Sequence, residues 1–435
     1  MNFRDILKID YLLLLPVIIL LVLGILFIYS SGITSAGNQI SMEYIRQIIW
    51  ASVGVAAALV LSLVNYRRFY SISLYIYLLS LLPLIYTLVF GKVVQNARWL
   101  RIGSFGVQIS EFVKITVIIL LARFLADTEH NNEAFSRFFI SCLIVFVPMG
   151  IVLIQPDLGT SLVYLAILVT MIFTAGVSMR YVAFMISCII LTGLFLVLPL
   201  WQTYILRRSL PVLAILTNLK IIILVVMFFI LIAAIAFFGY LKFKKRYFYW
   251  LVYSSVIIVF SLGASYAARL ILKNYQIMRL IVFLDPNVDP RGAGWNIIQS
   301  VTAIGAGGLT GRGYLQGTQS HYRFLPEQST DFIFSIFSEE SGFMGGIIIF
   351  LLFMLICHRL LVTMKTTADP FGRYICAGLA GMISFHFIIN VGMTMGIMPI
   401  TGIPLLFVSY GGSSVLSIML GIGLALSIFI RRYNR

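Results

Sequence analysis

The sequence predicts an all-α polytopic membrane protein with about twelve transmembrane helices. Three observations carry that prediction. Of 435 residues, 61% are apolar and 11% charged, where soluble domains have about 45–50% and about 25%. The mean hydropathy is +1.03. The apolar residues also gather into runs close to the roughly 20 residues that a bilayer-spanning helix needs. This composition excludes an ordinary soluble enzyme, a disordered chain and a nucleic-acid-binding domain. The formal charge of +16 then belongs to loops at membrane surfaces, and no nucleic acid is expected as a partner.

In chain order the runs fall at roughly 11–30, 46–64, 70–90, 111–126, 138–155, 160–177, 180–200, 220–240, 249–268, 335–357, 372–391 and 405–430. The first is preceded by Met1-Asn2-Phe3-Arg4-Asp5 and carries no small-residue cleavage site, so it reads as a retained span. If both termini share one side, 17 of the 31 Lys and Arg lie there. The positive-inside rule makes that side cytoplasmic. Lys242, Lys244, Lys245 and Arg246, between two apolar runs, are its clearest marker.

The remaining basic residues concentrate in two loops of the opposite side. One is 91–110, with Arg98 and Arg101; the other is about 269–331, with Arg279 and a run of glycines from Gly305 to Gly317. So much outer positive charge suggests an anionic ligand. No G-K-[ST] follows the glycines, so they form no P-loop; they allow tight turns or close approach to a lipid headgroup. The cysteines and histidines are scattered and predict neither a disulfide framework nor a zinc site.

Four polar clusters interrupt this pattern. Ser110, Glu111 and Lys114 open the fourth run, with Glu111 and Lys114 one helical turn apart. They read either as a cap with a snorkelling lysine or as a functional pair. Asp331, Ser335, Ser338 and Glu339 form one polar stripe at i, i+4, i+7 and i+8, flanked by Glu340. Asp331 alone could be a cap, but four polar positions spaced to face one cavity suggest a site. Pro399 to Ser414 is rich in small and hydroxyl residues, as close helix packing requires. Gln155 to Thr160 is a polar turn capped by Asp157.

Taken together these strings resemble the SEDS family of bacterial cell-wall polymerases. The resemblance runs through Asn96 to Trp99, Gln108 to Lys114, Gln155 to Thr160, Tyr275-Gln276 with Arg279, Asp285 to Gly294, Gln299-Ser300, the glycine run, Leu325 to Phe334 and Pro399 to Ser414. Phe283 to Pro286 and Gly317 to Gln319 are more similar to the elongation branch than to the division branch. Three features depart from the family pattern: Ser329 stands where His is usual, Ile109 stands where Pro is usual, and the family's ten spans become twelve. The extra pair would lie in about 201–268, within a single integral membrane domain of residues 1–435.

The resemblance implies a peptidoglycan glycosyltransferase that polymerises lipid II by inverting transfer to the acceptor 4-hydroxyl, serving cell elongation and rod shape. Asp331 is then the candidate catalytic base. Arg98, Arg101, Lys114 and Arg279 are candidates for neutralising the pyrophosphate, and Glu111, Gln299, Ser300, Glu327 and Glu340 for the rest of the headgroup. A divalent cation, Mg or Mn, would share the pyrophosphate charge, although no ligand set is legible. The implied partners are a class B penicillin-binding protein, since nothing here resembles a transpeptidase, and other elongation-complex proteins. A lipid II flippase or a non-catalytic scaffold recruiting a penicillin-binding protein would also suit a polytopic chain with intramembrane polar residues.

Overall fold

The structure, a computed structural model, describes residues 9–433 except 91–98, 103–104, 131–133, 207, 209 and 211–212. It divides into two compact units, residues 1–177 with 295–435, and residues 178–294.

The first unit opens with α1 (Tyr11–Ser31), α2 (Glu43–Leu63) and α3 (Arg68–Phe90). Asp10 starts α1 by accepting from the Leu13 amide, one of the amides a helix N-terminus leaves unpaired. A short antiparallel hairpin of β1 (Trp99–Ile102) and β2 (Phe105–Gln108) follows, pairing Trp99 with Gln108. It runs directly into α4 (Ile109–Asp127), after which come α5 (Ala134–Ile154) and α6 (Leu158–Thr174), whose cap is Asp157.

The second unit holds α7 (Met179–Trp201), extended by a π turn at Gln202–Leu206, the short α8 (Ala214–Thr217), α9 (Leu219–Phe243), α10 (Arg246–Ile271) and α11 (Asn274–Leu284). Apolar side chains cover most of α9 and only two of them are buried, so lipid is its surroundings. Between α9 and α10 the chain reverses at Lys244, which takes a left-handed conformation (φ 49°). The pair of runs expected within 201–268 is therefore α9 and α10.

The chain returns through α12 (Ala293–Gly307) and the short α13 (Thr318–His321) to α14 (Ile333–Thr366), α15 (Pro370–Thr394) and α16 (Gly412–Ile430). Among the described residues ten helices are long and apolar enough to cross a membrane. Each of the twelve predicted runs overlaps a helix, although 405–411 of the last one is loop. The two outside that set of ten are α4, whose 19 residues include Glu111, Lys114, Arg123 and Asp127, and α6, of 17 residues. α6 falls short by length alone, whereas the weaker apolar signal of α4 follows from its surroundings: it is buried almost continuously from Ser110 to Ala122, so protein rather than lipid surrounds it. α15 and α16 are the most buried of the ten candidates. A Cβ at Gly423 of α16 would lie 2.8 Å from the Ala58 oxygen of α2, so this pair touches backbone to backbone.

The end of the unit where α1 begins and α2 ends is basic and tied by ion pairs. Arg359 meets Asp10 at 2.9 Å, Arg373 meets Glu129 at 3.3 Å, and Arg67 meets Asp369 at 3.7 Å.

α14 is not one continuous helix. Gly342 breaks it (φ 65°, ψ −166°), and the glycine-rich segment 308–313 fills the break. Gly308 and Leu309 carbonyls accept from the Phe343 and Met344 amides at 2.9 and 3.1 Å, while the Arg312 and Gly313 amides donate to the Glu339 and Glu340 carbonyls at 3.0 Å each. The backbone groups released by the break are thereby satisfied inside the protein, as a low-dielectric setting demands. Gly311 (φ 82°) lies so close that a Cβ would sit 2.1 Å from the Glu340 oxygen. Here the glycines serve backbone approach to a broken helix.

Candidate active site

The segment Ser329-Thr330-Asp331 is held by its backbone. The Tyr410 amide donates to the Ser329 carbonyl at 2.8 Å, and the Ser409 hydroxyl donates to the Thr330 carbonyl at 2.6 Å. Asn390 Nδ2, from α15, donates to the Asp331 carbonyl at 3.0 Å and to the Ile403 carbonyl at 2.8 Å. The clamp is itself braced by α2, where Gln47 donates to the Ser409 carbonyl and accepts from the Gly411 amide. The 399–414 string therefore does more than allow helices to approach. Its loop at 403–411 fixes where Asp331 sits.

Asp331 is half-buried, in the turn before α14. The helix begins at Ile333 with Phe332 in the cap position, so Asp331 is not its N-cap residue. The polar stripe predicted to face one cavity divides instead. Ser335 is fully buried and bonds Ser300 at 2.6 Å, and Ser300 also donates to the Thr394 carbonyl at 2.6 Å. Ser300, expected at the headgroup, thus ties α12 to α14 and α15.

Glu339 is fully buried and accepts from the Gln319 amide at 2.8 Å, the Thr318 hydroxyl at 3.1 Å and the Ser320 amide at 3.3 Å. Glu340, also expected at the headgroup, is 2% exposed. It accepts from the Ser30 hydroxyl and the Leu315 amide, and lies 3.8 Å from His321 Nε2. The reason for this correction is the returning loop, which packs against the helix at its break and supplies both carboxylates with partners. Burial lowers the His321 pKa below its ordinary value, opposed by the nearby Glu339 charge.

Glu111 and Lys114 are buried, at 2% and 1% exposure. The Lys114 ammonium reaches both Glu111 oxygens at 2.9 Å and His386 Nε2 at 3.1 Å. An ammonium has three protons to give and these are its three acceptors. Lys114 therefore neither snorkels nor keeps a donor for pyrophosphate. Because the ammonium donates to Nε2, the His386 proton sits on Nδ1, which donates to the Pro404 carbonyl at 3.0 Å. The triad thus links α4 to α15 and to the loop that clamps Asp331. Gln108 adds a second link, its amide bonding the Ser413 hydroxyl and its side chain bonding Asp157.

Beside the clamped segment is a cavity of about 560 Å³. Ser31, the start of α2, Arg323 and residues 325–329 line it, including Glu43, Arg46, Glu327 and Gln328. Glu327, a predicted headgroup residue, is exposed at this cavity. Arg323 and Glu327 both adopt positive φ, 57° and 49°, which side chains other than glycine rarely take and which clusters at functional sites. Gln299 is half-buried on α12. Arg279 belongs to the second unit, where its guanidinium lies 5.7 Å from the Tyr275 ring centroid. Arg98 lies outside the described residues, and of Arg101 only the backbone, in β1, is described. Among the described residues no group of three or more His, Cys, Asp or Glu is placed to hold a metal ion.

A family model named for FtsW, RodA and SpoVE, described as a cell cycle protein, matches residues 11–213 and 210–434. The chain belongs to this family. It is 48% identical over 434 residues to peptidoglycan glycosyltransferase RodA of Treponema pallidum, covering 99% of this chain and 100% of that one. It is 30% identical to peptidoglycan glycosyltransferase MrdB of Escherichia coli K12, covering 99% and 96%. Stage V sporulation protein E of Bacillus subtilis is 31% identical, with 98% of each covered. Among solved structures, a chain of a peptidoglycan synthase complex that coordinates polymerization and crosslinking superposes with a TM-score of 0.67 at 24% identity, covering 98% of this chain and 99% of that one. The rod shape determining protein RodA of Thermus thermophilus superposes with 0.60 at 21%, with 98% of each covered. These last two matches establish the fold, that of a multi-pass membrane protein.

Asn390, His386, Gln47 and Arg46 were not among the residues singled out from sequence. A signal existed for two of them: His386 and Asn390 are polar residues four apart, on one face of an apolar run.

Proposed function

We infer that the chain is a peptidoglycan glycosyltransferase that polymerises lipid II outside the cytoplasmic membrane, in the elongation of the cell. The observation that carries this reading is the 48% identity, over whole chains, to an enzyme of that name. The clamped Asp331 gives the reading its chemistry. Outside the membrane no nucleotide sugar is supplied, so the donor must arrive already activated, as a polyprenyl-pyrophosphate sugar. Asp331 takes the proton from the acceptor 4-hydroxyl as that oxygen attacks the anomeric carbon. The bond to pyrophosphate breaks on the opposite face, and a single displacement converts an α-linked donor into a β-linked product. Arg98, Arg101 and Arg279 remain the proposed cations for the leaving group. Mg or Mn takes one or two carboxylates and completes its shell from phosphate and water. Glu43 and the exposed Glu327, which both line the cavity, are carboxylates this chain would offer such an ion.

In this reading both termini are cytoplasmic and the basic end of the first unit faces the cytoplasm. Crosslinking falls to a separate class B penicillin-binding protein, a partner supported by the solved synthase complex with the same fold. Cysteine accessibility tests the placement. In intact cells Lys244→Cys should resist a membrane-impermeant thiol reagent, while Tyr322→Cys should react. Tyr322 is 60% exposed. Labelling of position 244 from outside would put Asp331 on the wrong side for wall synthesis and sink the reading.

A further inference from the structure

Three aromatic side chains stand exposed at one place on the first unit. Trp295 lies at the start of α12, and Tyr322 and Phe324 follow α13; they are 37%, 60% and 45% exposed. The Tyr322 and Phe324 ring centroids lie 5.9 Å apart, with their planes at 34°. The Trp295 indole N–H donates to the Phe324 carbonyl at 2.7 Å, which places the third ring beside them. The group is firmly mounted. Buried Glu339 holds residues 318–320 through three hydrogen bonds, the Tyr322 amide donates to the Thr318 carbonyl at 3.1 Å, and the buried Leu325 anchors the far side.

The rings belong to the Asp331 end of α14. Ser300 meets Ser335, and a Cβ at Gly307 would lie 2.0 Å from the Ser338 oxygen, so α12 runs beside α14 in the same direction. Trp295, before Ser300, therefore stands toward the end where Asp331 precedes Ser335. Arg323 and Leu325, the chain neighbours of Phe324, line the polar cavity, so the rings stand at its rim.

We propose that Trp295, Tyr322 and Phe324 form a stacking platform for the growing glycan strand, holding sugars already joined while the next is added. The inference rests on the polymerase reading and gives it a binding site for the product. Three features select this occupant. Exposed rings grouped on a braced loop mark a binding surface, and the apolar C–H face of a pyranose packs flat on such rings. Trp and Tyr that merely anchor a chain at the membrane surface keep their polar edges toward lipid headgroups. The Trp295 N–H instead donates to backbone, so this residue offers its faces. Gln319 adds a polar requirement. Its carbonyl accepts from the Phe324 amide at 3.2 Å, and its Oε1 is buried without a hydrogen-bond partner. A buried acceptor needs a donor, and a sugar hydroxyl or acetamido N–H supplies one. A glycan brings apolar faces and such donors on the same rings, and in the polymerase reading it is made at the neighbouring cavity. A platform of this kind sets how many transfers occur before the strand is released, and hence the length of the product.

The test uses the full-length protein in nanodiscs. A fluorescent glycan strand of several disaccharides, freed of lipid and peptide, should bind the parent. Tyr322→Ala and Trp295→Ala should each weaken that binding about tenfold, whereas Tyr322→Phe and Trp295→Phe, which keep a ring, should retain most of it. With lipid II as substrate, each Ala variant should shorten the polymer more than it slows consumption of lipid II, a split that a damaged fold would not produce. Thermal unfolding checks the fold, and Tyr322, the most exposed of the three, is the substitution least able to disturb it. Strand binding and polymer length unchanged in both Ala variants would overturn the platform; with normal synthesis, the polymerase reading would stand without it. The same result with loss of a copurifying transpeptidase would assign the rings to a protein partner and equally overturn it. Phe variants as weak as the Ala variants would count against stacking. Ring-dependent strand binding by a parent that makes no glycan would support the site and overturn the polymerase reading.

Discussion

Asp331→Asn should leave a folded protein that makes almost no glycan. The substitution keeps size and shape, and three of the interactions that position the segment run through backbone: Asn390 to the Asp331 carbonyl, Ser409 to the Thr330 carbonyl, Tyr410 to the Ser329 carbonyl. These three do not depend on the carboxylate. Phe332 holds the cap position of α14, so exchange at Asp331 removes no N-cap. A lost general base costs about 10²- to 10⁴-fold in rate. Polymer formation is the measurement, with thermal unfolding in detergent as the control for folding. Near-normal turnover would reject the catalytic role for this carboxylate.

Lys114→Met should act in the opposite sense, with stability failing first. From sequence, a lysine one turn into a span reads as a snorkelling cation or a phosphate ligand, and Met would then be neutral for folding. The structure gives Lys114 no route to solvent and no spare proton. Its removal leaves the Glu111 carboxylate buried without its counter-charge and His386 Nε2 without a donor. Breaking a buried pair in this way costs about 3–5 kcal/mol. Replacing Glu111 as well, as in Glu111→Leu with Lys114→Met, should recover much of the lost unfolding temperature, because an apolar pair of similar volume needs no partner. A single variant as stable as the parent would mean that the buried triad contributes little to the fold.

The spans were legible because composition and run length alone decide them. Even α4, whose surroundings are protein, kept enough apolar residues to be seen. The break in α14 was not legible. Gly342 sits in an ordinary Ser-Gly-Phe string, and what breaks the helix is the glycine loop 308–313, some thirty residues earlier, pressed against it. The same non-locality hid the roles of Glu339 and Glu340: their spacing from Asp331 suggested one shared cavity, whereas the break gives them to the loop at 315–321. Lys114 finds His386 across 272 positions and Gln47 finds Ser409 across 362. No periodicity encodes such pairs. Asp331 stood out because an acidic residue at the start of an apolar run is costly unless used. Its clamp did not, because it is built from a backbone amide, one hydroxyl and an Asn, groups common in any turn.

The central claim, that this chain joins sugars rather than moving or merely gathering their lipid carriers, is tested most directly by one reaction. Purified full-length protein is mixed with lipid II in detergent, with no ion gradient and no transpeptidase present, and the glycan is resolved by length. The expected result is β-linked polymer from the parent protein and none from Asp331→Asn. Lipid II recovered unpolymerised from both, with the parent folded, would contradict the claim and leave a flippase or a scaffold as the function of this fold.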